Sequence, residues 1–325
     1  MRDADEGARL LVAGAGALGS VVGGLLAAHG HRVTLLGRAP HLEAIAAAGL
    51  HIAGLYGEHR VRSLRTVTAV EALDGPFDAV LLTVKAFDTA TMASSVAPFL
   101  APRGVLVSMQ NGLGNLEQAA AAVGRDRVLG ARVIFGAELT APGHVRVTVH
   151  AAPTLVGSPD PAHARLCAEA ARWAQVLAAA GIPAEPTPAL LAELWAKLFY
   201  NAALNPLGAL LGVPYGALPP DPDARSIMDD VLAEAFAVAR AEGIALPWPD
   251  VEAYRALFYE RLVPATASHR SSMLQDLERG RPTEIDAMNG WVARRGAALG
   301  VSTPANRLLT QAIRARARAA GRGTP

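Results

Sequence analysis

The first apolar run of the chain, Leu10–Ala13, gives way at once to Gly14-Ala15-Gly16-Ala17-Leu18-Gly19, and Gly19–His29 then carries helical spacing. Strand, G-x-G-x-x-G loop and helix in that order leave the rest of the chain little freedom. The first glycine permits the tight turn out of the strand. The second lets the backbone approach a pyrophosphate, and the third lets helix and strand pack closely. The phosphates then lie at the positive end of the helix. A glycine-rich turn without a ligand is the competing reading, and the place of the loop in a first βαβ unit weighs against it. The next strand-like run, His31–Leu36, ends in Gly37-Arg38. A site for NAD places an acid there, about 20 residues on, against the ribose. No Asp or Glu stands between Leu36 and Pro40. Arg38 offers a planar, permanently charged fork suited to a 2′-phosphate, which points to NADP. A solvated surface arginine is the plain alternative.

Strands and helices keep alternating through the first half. Ala79–Val84 and Val105–Met109 are near-continuous apolar runs, as expected of strands buried on both faces of a parallel sheet. Pro40–Ala48 and Thr89–Leu100 read as helices between them, so the pattern predicts a doubly wound α/β sheet of Rossmann type. Val128–Glu138, His144–His150 and Thr154–Gly157 read as further, antiparallel strands. Beyond Asp160 the spacing turns helical: Pro161–Ala180, Pro188–Asn205, Ala224–Glu242, Asp250–Leu262 and Thr283–Leu299. A short strand-like link near Ile182–Ala184 is the exception. Asn205-Pro206 is expected to end or kink its helix. At about 100–200 residues per domain, 325 residues predict two domains. The change of pattern divides them into 1–186, a cofactor-binding Rossmann-type domain, and 187–325, an all-helical substrate and catalytic domain.

Charge and cysteine content narrow the functional class. Lys+Arg 30 against Asp+Glu 29 gives a net charge of +1, which argues against a nucleic-acid binder held by bulk charge. Cys167 is the only cysteine, so no internal disulfide and no cysteine zinc cluster can form. A reducing, cytoplasmic setting fits. Apolar stretches such as Val21–Ala28 fall far short of the ~20 residues that span a bilayer. Met1–Arg9 is charged and carries no signal-peptide pattern. The chain therefore reads as a soluble, intracellular, two-domain globular protein, with no membrane span and no metal site built from cysteines. A monomer and a homodimer are both compatible with it.

Several polar residues have two readings each. Lys85 follows an apolar strand at the edge that faces the ligand crevice in such sheets, and a plain surface lysine fits the spacing equally well. Asn111 lies in Gln110-Asn111-Gly112-Leu113-Gly114, either a ligand contact or an Asn-Gly turn. Lys197, Asn201 and Asn205 recur at i, i+4 and i+8, with Glu193 one turn earlier, and so share one helix face. Apolar neighbours imply that this helix is largely buried, where a lysine and two asparagines need partners or a cleft. Ser271-Ser272 falls in a helical segment, where serines often bind local backbone. Thr283-Glu284-Ile285-Asp286 looks like a helix start capped by Thr283, and spacing alone makes Glu284 a first-turn acid favoured by the helix dipole.

Taken together these segments resemble the 2-dehydropantoate 2-reductase (ketopantoate reductase) family from Gly14 to about Pro304. The matching stretches are the glycine loop, Thr83-Val84-Lys85-Ala86, Asn111-Gly112-Leu113-Gly114, Glu193-Leu194-Trp195-Ala196-Lys197-Leu198, Asn201 to Leu207, Ser271–Asp276, and Thr283–Asp286 with Asn289-Gly290. The resemblance implies reduction of ketopantoate to pantoate with NADPH, on the route to pantothenate and coenzyme A. It implies a Rossmann domain followed by a helical domain, with the site in the cleft between them. Lys197 matches the family's catalytic lysine and Glu284 its active-site acid. Asn201, Asn205 and Ser272 match substrate-binding positions, and Asn111 the cleft asparagine. Arg38 and Lys85 match the basic contacts of the cofactor. A relative that reduces another 2-keto acid or a ketolactone is the alternative within the class. A nucleotide-binding sensor without turnover is the alternative outside it.

Overall fold

The computed structural model describes residues 7–322 of the chain. Their backbone forms two compact units. One comprises the chain through Asn111 together with Asn115–Leu190. The other comprises Gly112–Gly114 together with the chain from Leu191 onward.

The first unit opens with β1 (Arg9–Ala13), α1 (Ala17–Ala28), β2 (Arg32–Leu36) and α2 (Ala39–Ala48). Three short strands come next: β3 (Leu50–Gly54), β4 (His59–Val61) and β5 (Arg65–Val67). Then come β6 (Phe77–Leu82), α3 (Thr89–Val96), β7 (Leu100–Ser108), α4 (Asn115–Val123) and β8 (Val128–Arg132). The unit ends with β9 (Phe135–Ala141), β10 (His144–His150), β11 (Thr154–Gly157), α5 (Ala164–Ala179) and β12 (Ala184–Pro186). Eight strands form one sheet in the order β12-β11-β8-β7-β6-β1-β2-β5. β1 lies inside it, parallel to β2 on one side and to β6 on the other, with Leu10 opposite both Val33 and Ala79. Leu10, Leu11, Val12 and Ala13 are fully buried, which is why the run is apolar without alternation. The strand order reverses between β1 and β6, so the carboxyl ends of these two strands flank the switch point of the sheet.

A second sheet, β4-β3-β10-β9, covers the other side of α1. Sequence periodicity does not predict it. Its β4 has only three residues and shows no period, and Val128–Glu138, expected as one strand, divides into β8 and β9 in different sheets. α1 is buried from Gly19 to Ala27 because it is packed on both faces. A Cβ on Gly23 would lie 2.6 Å from Leu35, and one on Gly24 would lie 2.6 Å from Ile52 of the second sheet. Only glycine lets one helix approach two sheets this closely. Buried His41 ties the layers together. Its Nδ1 accepts from the Gly143 backbone N–H at 3.0 Å, which leaves the proton on Nε2 to donate to Ser20 Oγ at 2.9 Å.

The second unit is helical: α6 (Leu190–Leu211), α7 (Pro222–Ala241), α8 (Val251–Leu257), α9 (Val263–Ala265), α10 (Ser272–Glu278), α11 (Asn289–Leu299) and α12 (Pro304–Arg322). A π-helical turn, Phe258–Leu262, joins α8 to α9. Two local expectations are corrected here. Thr283 caps no helix: a 3-10 turn, Ile285–Ala287, intervenes, and α11 begins only at Asn289. Of the end or kink expected at Asn205-Pro206, the end is overturned, for α6 runs through Pro206 to Leu211. Proline lacks the N–H that would bond the carbonyl four residues back, that of Ala202. Asn289 supplies the missing donor, its Nδ2 lying 3.0 Å from Ala202 O. The same Nδ2 donates to Asn306 Oδ1 at 3.0 Å, and Asn306 Nδ2 donates to Glu234 Oε2 at 2.8 Å. Glu234 also accepts the backbone N–H groups of Ala305 and Asn306 at the start of α12. One polar chain thus stitches α6, α7, α11 and α12 together.

Candidate active site

In the first unit the predicted cofactor residues follow the carboxyl ends of four adjacent strands, β7, β6, β1 and β2. Each glycine of the loop has its own physical reason. Gly14 adopts φ +119°, and a Cβ there would meet the Val84 backbone nitrogen at 2.5 Å. A Cβ on Gly19 would lie 2.2 Å from Gly14 O, so the third glycine sets the approach of α1 to the loop. A Cβ on exposed Gly16 would meet nothing within 4 Å. Space rather than conformation is what Gly16 preserves. The Gly14 and Ala15 N–H groups both donate to Leu36 O, at 3.0 and 2.9 Å, and fix the loop to the end of β2. Thr83, just beyond β6, donates its hydroxyl to Gly14 O at 2.8 Å and holds the loop from the other side. Ala17 and Leu18 begin α1, whose first turn has no acid and no hydrogen bond from a capping side chain. Its leading N–H groups are therefore available to an anion at the open space beside Gly16. These features fit a dinucleotide pyrophosphate.

Arg38 is exposed, stands immediately before α2 and makes no ion pair with any described residue. Lys85 is half-buried where β6 gives way to the 3-10 turn Ala86–Asp88. Asn111, also half-buried, follows β7 at the same edge of the sheet. A buried polar relay holds these loops. Ser108 Oγ donates to Gln110 Oε1 at 3.1 Å, and Gln110 Nε2 donates to Thr89 Oγ1 at 2.7 Å and to Val84 O at 2.9 Å. Thr89 Oγ1 donates to Asn115 Oδ1 at 2.9 Å, and Asn115 Nδ2 to Asn111 O at 2.9 Å. Thr89, Gln110 and Asn115 escape the sequence reading. Only the position of Gln110 beside Asn111 hints at the first of these contacts.

In the helical unit, Lys197 and Asn201 are half-buried on α6. Lys197, Glu193 and buried Glu284 each have partners in the protein. Asn205 is buried, its Oδ1 accepting from the Tyr215 hydroxyl and its Nδ2 lying 3.6 Å from Met288 Sδ. Ser271 caps α10, accepting from Leu274 N at 3.0 Å, while its hydroxyl lies 3.3 Å from Asn205 O. Exposed Ser272 follows it on the first turn. The start of α10 and the segment Glu284–Met288 are thereby both anchored on α6 near Asn205. Tyr215, which orients the Asn205 amide, is a further residue that helical spacing does not reveal. Burial and the neighbouring Tyr200 push its hydroxyl well above the ordinary tyrosine range, so it stays a proton donor.

The chain matches the ketopantoate reductase PanE/ApbA family over residues 10–161 and the C-terminal region of that family over 189–317. It is 35% identical over 309 residues to a 2-dehydropantoate 2-reductase of Aquifex aeolicus, spanning 95% of this chain and 96% of that protein. Its fold is similar to that of a PanE/ApbA family ketopantoate reductase from Ralstonia eutropha JMP134, with a TM-score of 0.85 and 35% identity, covering 96% of this chain and 99% of that one. D-mandelate dehydrogenase with NADH and anilino(oxo)acetate also has a TM-score of 0.85, at 26% identity and the same coverage. With matches in both units and over nearly its whole length, the chain belongs to the ketopantoate reductase family.

Proposed function

We propose that this protein reduces 2-dehydropantoate to pantoate with NADPH, a step toward pantothenate and coenzyme A, in the cytoplasm. The unit with the eight-stranded sheet binds NADPH, and the helical unit supplies the substrate and catalytic residues. The observation that carries this reading is the open, uncapped loop at Gly16 in a chain that also places Lys197 and Asn201 half-buried on one face of α6. The N–H groups of Ala17, Leu18 and Gly19 take the pyrophosphate, Arg38 the 2′-phosphate, and Lys85 adds positive charge nearby. Bound NADPH supplies the hydride. As negative charge gathers on the substrate oxygen, the Lys197 ammonium stabilises it and donates a proton. Glu284 orients Lys197 or accepts from the substrate hydroxyl. Ser272 and Asn111 hold the carboxylate as neutral donors. Asn201 and Asn205 bond the hydroxyl. Tyr215 donates to the Oδ1 of Asn205 and one Nδ2 hydrogen faces Met288 Sδ, so the second Nδ2 hydrogen and the remaining Oδ1 lone pair serve this task.

The test is NADPH absorbance decay with ketopantoate, run beside NADH and a panel of other 2-keto acids. Rapid oxidation selective for ketopantoate and NADPH is expected. Arg38→Ala should weaken NADPH binding about tenfold while leaving NADH unaffected. The likeness to D-mandelate dehydrogenase with NADH favours one second reading, a relative that reduces a different 2-keto acid. Activity on another acid with none on ketopantoate would select it.

A further inference from the structure

β1, β2, β5 and β6 run parallel, so their first residues share the edge of the sheet opposite the glycine loop. That edge holds a cleft of about 420 Å³, within the range of small-molecule pockets. Arg9, Arg32 and Arg65 line it, with His31, Phe77 and the single carboxylate of Asp74. Asp74 Oδ1 pairs with Arg65 Nη1 and lies 3.4 Å from Arg9 Nη2. The turn around it fixes both guanidiniums: Arg9 Nη2 donates to Asp74 O at 3.0 Å, and Arg65 Nη2 to Ala72 O at 2.8 Å. Arg9 also lies 5.7 Å from the centre of the Phe77 ring. His31 Nδ1 accepts from Ala8 N at 3.2 Å, which leaves its Nε2 a donor. Asp78, whose Oδ2 accepts from Arg9 N at 2.9 Å, is a neighbouring acid that does not line the cleft.

One carboxylate between the Arg9 and Arg65 guanidiniums leaves a net positive charge, and Arg32, which has a partner of its own in the protein, stands in the same lining. Guanidiniums held side by side by backbone carbonyls present their remaining N–H groups in fixed directions, the arrangement that binds closely spaced anionic oxygens. We propose that this cleft binds a small polyanion, a phosphate ester or polycarboxylate, at a site separate from the glycine loop. The site does not depend on which substrate the enzyme reduces.

Isothermal titration of the full chain with pyrophosphate, and separately with citrate, tests it. Saturable binding of at least one anion is expected, and the tighter of the two identifies the ligand as phosphorylated or carboxylic. Arg32→Gln and Arg65→Gln should each weaken that binding about tenfold, whereas Arg38→Gln, on the glycine-loop side, should leave it unchanged. Asp74→Asn should tighten it severalfold by removing the competing charge, a gain that damage to the fold would not mimic. No saturable binding, loss that follows Arg38→Gln, or weaker binding in Asp74→Asn would each overturn the proposal.

Discussion

The glycine loop and the Lys197 face of α6 are built in opposite ways. The loop is made of backbone: three glycines, each with a separate reason, and N–H groups fixed by neighbouring strand ends. The α6 face is made of side chains, and distant elements hold the helix that carries them. Asn289, 87 residues beyond Ala202 in the chain, supplies the bond that lets the helix continue. A backbone-built site breaks when atoms are added, and a side-chain-built one when they are removed.

The largest effect should come from the chemistry itself. Lys197→Ala is expected to lower turnover by about 10²–10⁴-fold while leaving NADPH affinity, read by fluorescence titration, nearly unchanged. Normal turnover would remove Lys197 from the mechanism. Adding atoms to the loop should separate binding from folding. Gly16→Val points into open space, so its melting temperature should match the parent, while NADPH binding should fall by about 10²-fold through lost approach. Retained binding would mean that the space is not needed.

The complementary experiment removes a side chain from the helical unit. Asn289→Leu orphans Ala202 O and Asn306 Oδ1 and should cost about 2–4 kcal/mol in urea unfolding. In a Pro206→Ala background part of that loss should disappear, because the introduced alanine restores the N–H that Ala202 O lacks. Equal losses in both backgrounds would sever the link between Asn289 and Pro206. The smallest effect is electrostatic. Burial, with His144 nearby, holds the His41 pKa below the ordinary value, so the folded protein keeps it neutral. Its contribution is complete above pH ~6.5 and declines as pH falls below that, because the unfolded chain then takes up the proton first. Melting temperatures from pH 7.5 down to 5.5 should fall less steeply in His41→Gln.

The difference between the regions also explains what the sequence discloses. The β1–α1 loop is contiguous, and glycine spacing carries its whole logic, so Gly14, Gly16 and Gly19 are legible from the residues alone. So are the buried runs of β1, β6 and β7, whose apolar character is local. The short strands are not legible, because β4 and β5 have three residues each and show no period of their own. Pro206 predicts a helix end or a kink by a local rule, and a contact from α11 supplies the bond with which the helix continues. Asn205 and Lys197 share a helix face in the sequence, but the pairing of Asn205 with Tyr215 depends on how the chain returns after Leu211. Thr83, Thr89 and Gln110 are ordinary residues in composition, and only their convergence at the ends of β6 and β7 gives them a task.

Gly112–Gly114 belong with the helices although the chain on both sides of them belongs with the sheets. Leu113 N donates to Ala287 O at 2.8 Å, and a Cβ on Gly114 would lie 2.6 Å from the Trp291 ring. The helical body therefore has no uninterrupted stretch of gene to itself. A fragment started after β12 would lack the donor for Ala287 O and the glycine seated on Trp291. During synthesis that body waits for residues made before β8 and after β12, so its completion is tied to the making of the whole polypeptide.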